Sequence, residues 1–278
     1  MPELPEAETI ARGLRAHIPG REILRVEVFR PDLLTVPPGS FRRALMGRAV
    51  EGVDRRGKNL VFPLTGGVRV VVNLGMTGRL LLGSGGGDDN PVPSHPGVRM
   101  DCSGGLTLWY DDSRRFGRLE AMDSRSFAEW TRRLGPEPLS RAFTARALHS
   151  RLGASRSPLR SWLLDQRRVA GVGNIYAIEA LFRAGLHPRN PAHSVDSTGA
   201  GRLHRGLRRV LRQAIRHRGT TLRDYRDALG SSGGNGPLLS VYGREGEPCP
   251  RCGEPIERIV FSNRSAFLCP SCQPEVPA

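Results

Sequence analysis

The chain is almost without lysine: of its 42 Lys and Arg residues, Lys58 alone is not arginine. Acidic residues are scarce as well, 27 against those 42, which leaves a formal charge of +15 over 278 residues. So lopsided a balance points to an acidic polymer or an acidic surface as partner. There is no signal-peptide pattern, no long apolar run and no amphipathic membrane helix, so nucleic acid is the expected partner, the alternative being that the charge serves solubility alone. Cysteine is sparse too. Four of the five fall in two C-x2-C pairs near the C-terminus and Cys102 stands alone in a predicted strand, which excludes a secreted disulfide scaffold. The 38% hydrophobic content is ordinary and suffices for two domains with their own cores.

The lysine shortage makes its one exception conspicuous. Codon bias accounts for arginine wherever charge alone matters, but a primary amine can lose its proton or make one compact contact, and a planar guanidinium does neither. Lys58 is therefore either a functional amine or a chance survivor. A second unusual feature is the first six residues, Met1-Pro2-Glu3-Leu4-Pro5-Glu6. Small Pro2 permits removal of Met1, and the secondary amine so exposed has an ordinary pKa of about 8, leaving a neutral fraction that can attack carbon and form an iminium. Glu3 is placed to move protons, and Glu6 opens an amphipathic run through Ile10, Leu14 and Ile18. The plain alternative is a solvated, frayed end.

Short strands are expected at Arg21–Arg30, with Leu24, Val26 and Val28 facing one way, and at Asn59–Leu64, Val68–Leu74, Arg79–Leu82, Val98–Cys102, Leu106–Tyr110 and Arg118–Met122. Their spacing predicts a β-sandwich or barrel with the first helix packed on it, and Gly83–Pro96 reads as a surface loop. Two loops carry side chains that suit either core plugs or wedges between bases: Met76 in Leu74-Gly75-Met76-Thr77-Gly78, and Arg114 and Phe116 in Asp112–Gly117. Prolines at 136 and 138 mark a boundary, after which helices take over. Thr144 caps one, Ser157-Pro158 starts a second, and Gly171-Val172-Gly173-Asn174 leads into a third whose first N–H groups and Asn174 amide suit a phosphate or simply a tight capped turn. A long basic helix is expected at Leu203–Arg218. Finally, Cys249, Cys252, Cys269 and Cys272 have the spacing of a closed four-thiolate zinc site, structural rather than catalytic, holding Ile256–Phe261 and Ser265–Cys269 as a hairpin with Arg264 near its turn. Arg264 there is either a phosphate ligand or a solvated turn residue.

The Pro2-Glu3 start, Arg55-Arg56-Gly57-Lys58, the run Asp165–Pro188 with Gly171-Val172-Gly173-Asn174-Ile175-Tyr176, and the four-cysteine unit together resemble the formamidopyrimidine-DNA glycosylases, a bacterial base-excision repair family, over nearly the whole chain. The resemblance implies an α+β architecture: a helix-capped β-sandwich catalytic domain over residues 1–133, a linker over 134–141, a helix-two-turns-helix domain over 142–236 and a zinc finger over 237–278. It implies one structural zinc and a monomer acting on damaged double-stranded DNA. By the same resemblance Pro2 is the nucleophile, Glu3 the acid/base and Glu6 its support, while Lys58 contacts phosphate at the lesion and assists catalysis. Asn174 and Arg264 become phosphate clamps. Met76, Arg114 and Phe116 fill the gap left by a flipped nucleotide, and His95 joins the DNA-contacting set.

Departures touch substrate choice: Arg160 stands where many relatives have lysine, His95-Pro96-Gly97 replaces a usual pair of histidines, and the Gly230–Pro237 loop is unusually rich in glycine. The expected activity is removal of oxidised purines followed by β,δ-elimination. Its rivals are an endonuclease VIII-like glycosylase for oxidised pyrimidines, disfavoured by Leu4 where that branch has glycine, and a non-catalytic zinc-containing DNA-binding protein.

Overall fold

A computed structural model describes residues 2–84, 93–223 and 225–276. Met1 and most of the loop expected at Gly83–Pro96 lie outside the described residues. By contacts the chain divides into two compact units, 1–133 with 215–236, and 134–214 with 237–278.

In the first unit α1 (Leu4–Arg15) opens with Pro5 in its first turn, where a missing N–H costs nothing, and with Glu6 reaching back to the N–H of Glu3 at 2.8 Å. Its apolar face, Leu4, Ala7, Ile10, Ala11 and Leu14, is fully buried. Two antiparallel four-stranded sheets follow. One has the order β1 (Ile23–Val28), β6 (Pro96–Cys102), β7 (Leu106–Asp111), β5 (Arg79–Ser84); the other β2 (Asp54–Arg56), β3 (Asn59–Pro63), β4 (Arg69–Asn73), β8 (Arg118–Met122). One core joins Ile23, Val26, Met100 and Leu108 to Leu60, Phe62, Val70 and Val72. The alternate residues Val61, Val71 and Met122 are buried as well, against Phe127 and Trp130 of α3 (Ser124–Arg132). That second covering explains why β3 and β4 read as unbroken apolar runs rather than alternating ones. The helix-capped sandwich is thus present, with two corrections of detail. Leu24 is 53% exposed because a register shift between Ile23 and Arg25 turns it outward and gives the inward place to Ile23. The helices α2 (Pro38–Leu45) and α3 were not foreseen.

The second unit holds α4 (Ala145–Gly153), capped by Thr144, α5 (Leu159–Leu164), α6 (Asn174–Ala184), most of α7 (Ser197–Arg216), and a hairpin of β9 (Glu257–Phe261) and β10 (Arg264–Leu268). Between α5 and α6 the chain makes two turns stapled by Gln166, whose amide donates to the carbonyls of Leu164 and Val172 and accepts from the N–H of Gly171. The long helix begins at Ser197, earlier than expected, because Asp196 accepts from the N–H of Gly199 and so offsets the poor helix formers there. Residues 215–236, read from sequence as the end of the helical domain, group by contacts with the first unit: Tyr225 and Ala228 enter its core, and the N–H of Leu82 donates to the Ala228 carbonyl at 2.9 Å.

Candidate active site and metal centre

In the first unit the head of α1 is buried. Glu3 is 2% and Glu6 1% exposed, so neither carboxylate belongs to a frayed end. One oxygen of Glu6 accepts the N–H of Glu3 and the other the N–H of Thr220, both at 2.8 Å. Glu6 thereby ties the residue after Pro2 to the 215–236 segment, more than two hundred positions away. Two residues further on, Glu8 accepts from Arg12 and Arg15 and, at 3.1 Å, from Arg55 Nε. Burial opposes the charge of Glu8, but the three guanidinium groups outweigh it and hold its carboxyl below the usual range. Arg55 also donates to the Gly57 carbonyl at 2.8 Å. Gly57 and Lys58 form the two-residue turn between β2 and β3, with Gly57 at a φ of +62° that a side chain would disfavour. The helix that starts at Glu3 is therefore pinned to the hairpin that presents Lys58.

The two candidate wedge loops lie back to back. A Cβ on Gly75 would come within 2.6 Å of the Gly117 nitrogen, so glycine is required for this approach. Met76 and Phe116 are 40% and 53% exposed, which removes the core-plug alternative, and the Arg114 guanidinium rests over the Phe116 ring at 4.6 Å. What holds the loops was not read from sequence. Buried Asp112 accepts the Thr77 hydroxyl at 2.6 Å from one loop, and the N–H groups of Arg114 at 3.2 Å and Gly117 at 2.9 Å from the other. His95 is exposed beside them: its carbonyl accepts the N–H of Asp112 at 3.1 Å and its own N–H donates to Asp111.

In the second unit Asn174 begins α6 and donates to the Ser265 carbonyl at 2.9 Å, while its Oδ1 is buried without a partner among the described residues. Arg264 is exposed directly after the hairpin turn, whose Ser262 and Asn263 both have positive φ. Arg160, 1% exposed, donates to the carbonyls of Arg264, Ser265 and Phe261 and stacks on the Phe261 ring at 3.8 Å. Arg160 and Asn174 thus fix the strand that carries Arg264. A lone charge inside the apolar run 158–164 was the available signal for Arg160.

The four cysteine sulfurs lie within 4.8 Å of one another, with separations of 3.4, 3.5 and 3.9 Å among them. A zinc–sulfur distance of about 2.3 Å gives a tetrahedron with edges of about 3.8 Å, so the cage has the right size. The donor set also calls for a cation. Burial opposes ionisation of Cys249, yet N–H donors from Arg251 and Cys252 hold its thiol at about 7, while burial and the neighbouring thiols push Cys272 up to about 12. Four thiolates so close need a positive centre, and with four protein ligands no position is left for water.

Three stretches match family descriptions in chain order: the formamidopyrimidine-DNA glycosylase N-terminal domain over residues 1–119, the formamidopyrimidine-DNA glycosylase H2TH domain over 134–226, and a zinc finger found in FPG and IleRS over 246–274. With the sandwich, the two-turn helical motif and the sulfur cage, they define a zinc-finger DNA glycosylase. Formamidopyrimidine-DNA glycosylase of Moorella thermoacetica is 48% identical over 262 residues, 93% of this chain and 94% of that protein. The crystal structure of the MutM (Fpg) protein of Thermus thermophilus covers 99% of this chain and 100% of its own at a TM-score of 0.88 and 45% identity. A Lactococcus lactis Fpg variant in complex with Fapy-dG-containing DNA gives 0.91 at 32% identity, covering 99% of this chain and 100% of that one. The chain belongs to the formamidopyrimidine-DNA glycosylase family.

Proposed function

We propose that this protein excises oxidised purines, 8-oxoguanine and ring-opened formamidopyrimidines, from double-stranded DNA and cuts the abasic strand, working as a monomer in the cytoplasm. After Met1 is removed, the Pro2 nitrogen attacks C1′ of a nucleotide flipped out of the stack. The glycosidic bond breaks, the base leaves with a proton, and Glu3 protonates the sugar ring oxygen as the ring opens to an iminium joining Pro2 to C1′. Loss of a C2′ proton then expels the 3′ phosphate, and a second elimination expels the 5′ phosphate. Water releases the sugar remnant from Pro2. Lys58, Asn174 and Arg264 hold phosphates around the lesion, and Met76, Arg114 and Phe116 occupy the vacated stack. The zinc braces the hairpin and takes no part in the chemistry.

The observation that carries this reading is the fixed, buried head of α1. Glu6 holds the Glu3 N–H at 2.8 Å, which supports a fixed rather than frayed start to the chain beside the proposed nucleophile. The test is borohydride reduction during incubation with an 8-oxoguanine duplex. A covalent protein–DNA adduct is expected, and it should vanish in a form retaining Met1 or in Pro2→Gly while duplex binding persists. Absence of an adduct from protein shown to begin at Pro2 refutes the mechanism.

A further inference from the structure

A second concentration of positive charge lies in the second unit. A cavity of about 310 Å3 in the second unit is lined by Arg183, Arg202, Arg205, Gly206, Arg209 and Arg251. Arg202, Arg205 and Arg209 follow one another on a single face of α7, a spacing at which like charges disfavour a helix. Gly206 lets α7 lie close on α6, since a Cβ there would come 3.1 Å from the Ala180 oxygen and 3.3 Å from Arg183 Cβ. Two of the guanidinium groups are pinned in place. Arg202 donates to the Ala184 carbonyl and Arg251 to that of Arg183, each at 2.9 Å, and Arg251 lies 4.4 Å over the Phe182 ring. Arg183 keeps a buried Nε without a partner among the described residues. None of the five has an ion pair among those residues. The one carboxylate that acts on Arg183, Glu179, is already taken by the N–H groups of Ser240, Val241 and Tyr242 at 2.9 to 3.0 Å.

We propose that this cavity is a second phosphate-binding site. Five guanidinium groups, two of them pinned, suit an anion rich in acceptor oxygens, and among the described residues the cavity lining includes neither a carboxylate nor an aromatic ring to read a base. The site lies at the far ends of the elements that carry the first one. Arg183 is about 13 Å along α6 from Asn174 at 1.5 Å per residue, and Arg251 sits in the cysteine cluster, at the opposite end of the hairpin from Arg264. The phosphate comes either from a second DNA segment, which the protein would then bridge to the first, or from a free phosphate compound. This inference does not depend on the glycosylase chemistry.

The test titrates inorganic pyrophosphate into the full-length zinc protein by calorimetry, comparing wild type, Arg205→Ser/Arg209→Ser and Arg42→Ser/Arg43→Ser, the last an equal charge loss at two exposed positions of α2. The pocket pair is expected to lose about tenfold in affinity, as removal of charge-assisted forks implies, and the control pair to match wild type. Arg205→Lys/Arg209→Lys, which keeps helix and charge but loses the forks, should show a smaller loss in the same direction and guards against misfolding of the serine pair. A second arm mixes two duplexes carrying different fluorophores and reads their co-diffusion. Co-diffusion that the pocket pair alone abolishes assigns the phosphate to a second DNA segment; pyrophosphate binding without co-diffusion assigns it to a free phosphate compound. Equal pyrophosphate affinity in wild type, pocket pair and control overturns the proposal.

Discussion

Asp112 offers the sharpest test of how the two candidate wedge loops are held. Replacing it with alanine removes four interactions at once: the Thr77 hydroxyl, the N–H groups of Arg114 and Gly117, and the Tyr110 hydroxyl at 3.2 Å. They are not equal losses. Tyr110 keeps the Asn73 carbonyl at 3.3 Å, and the Arg114 N–H keeps Thr77 Oγ1 at 3.2 Å. The Gly117 N–H is buried and has no such alternative among the described residues, which costs about 1–3 kcal/mol, and loss of the charge-assisted Thr77 bond adds about 1.5–3 kcal/mol. The sum, about 4 kcal/mol, should appear as a lower urea midpoint at unchanged slope. Asp112→Asn keeps one good acceptor and should cost about half as much. If the wedges need this common anchor, the alanine variant, assayed where it is folded, should lose about tenfold in affinity for an abasic-site duplex over an undamaged one, equivalent to about 1.4 kcal/mol. A midpoint shift worth less than about 1 kcal/mol would refute the accounting, and an unchanged lesion preference would refute the coupling of the two loops.

Other outcomes follow from the same geometry. Because the folded Glu8 carboxyl is held below its ordinary value of 4.5, its charge stabilises the fold above that pH and the contribution is lost as pH falls through the depressed value; Glu8→Gln should therefore flatten the acid limb of the stability curve, read by denaturation between neutral pH and the acid range. Arg160→Met leaves three carbonyls at the hairpin turn without their donor and should destabilise the second unit by about 2–4 kcal/mol, with weaker DNA binding because Arg264 loses its fixed strand. Stripping the zinc with a chelator, or Cys252→Ser, should lower the melting point and DNA affinity together, and added zinc should restore both only in the wild type. Arg264→Ala should weaken binding alike on all sequences and reduce the salt slope by about 0.9; a loss confined to one sequence context contradicts a phosphate contact.

The parts of this protein legible in its sequence are those encoded within a few neighbouring residues. Alternation gave most strands, and the fixed spacing of Cys249, Cys252, Cys269 and Cys272 gave a cage whose sulfurs do converge. Local signals were missed where a helix is short. Pro37 and Pro38 stand at the cap and first position of α2, where proline is well tolerated, and α2 buries only Phe41 and Leu45, while the polar residues of α3 conceal a stripe that covers Val61 and Val71. Local signals failed also at the bulge that turns Leu24 outward, since the sequence carries no mark of which residue of a strand will be skipped.

The candidate site divides along the same line, and the division has a physical cause. Glu3, Lys58, Met76 and Phe116 stand out because each is odd for its surroundings, but the groups that fix them, Glu6 through Thr220, Glu8 through Arg55, and Asp112, act mostly on backbone N–H or C=O groups. Every residue but proline offers such a backbone donor, so nothing in the sequence identifies the partner. This is why residues 215–236 were read with the helices that precede them. The Glu6 carboxylate binds the N–H of Thr220, and an amide proton from any non-proline residue there would serve; only folding brings that segment beneath the first turn of α1. The head of α1 is thus held in place from more than two hundred positions along the chain, and a substitution at 220 that preserves the backbone, such as Thr220→Ser, should be far milder than Thr220→Pro, which deletes the donor.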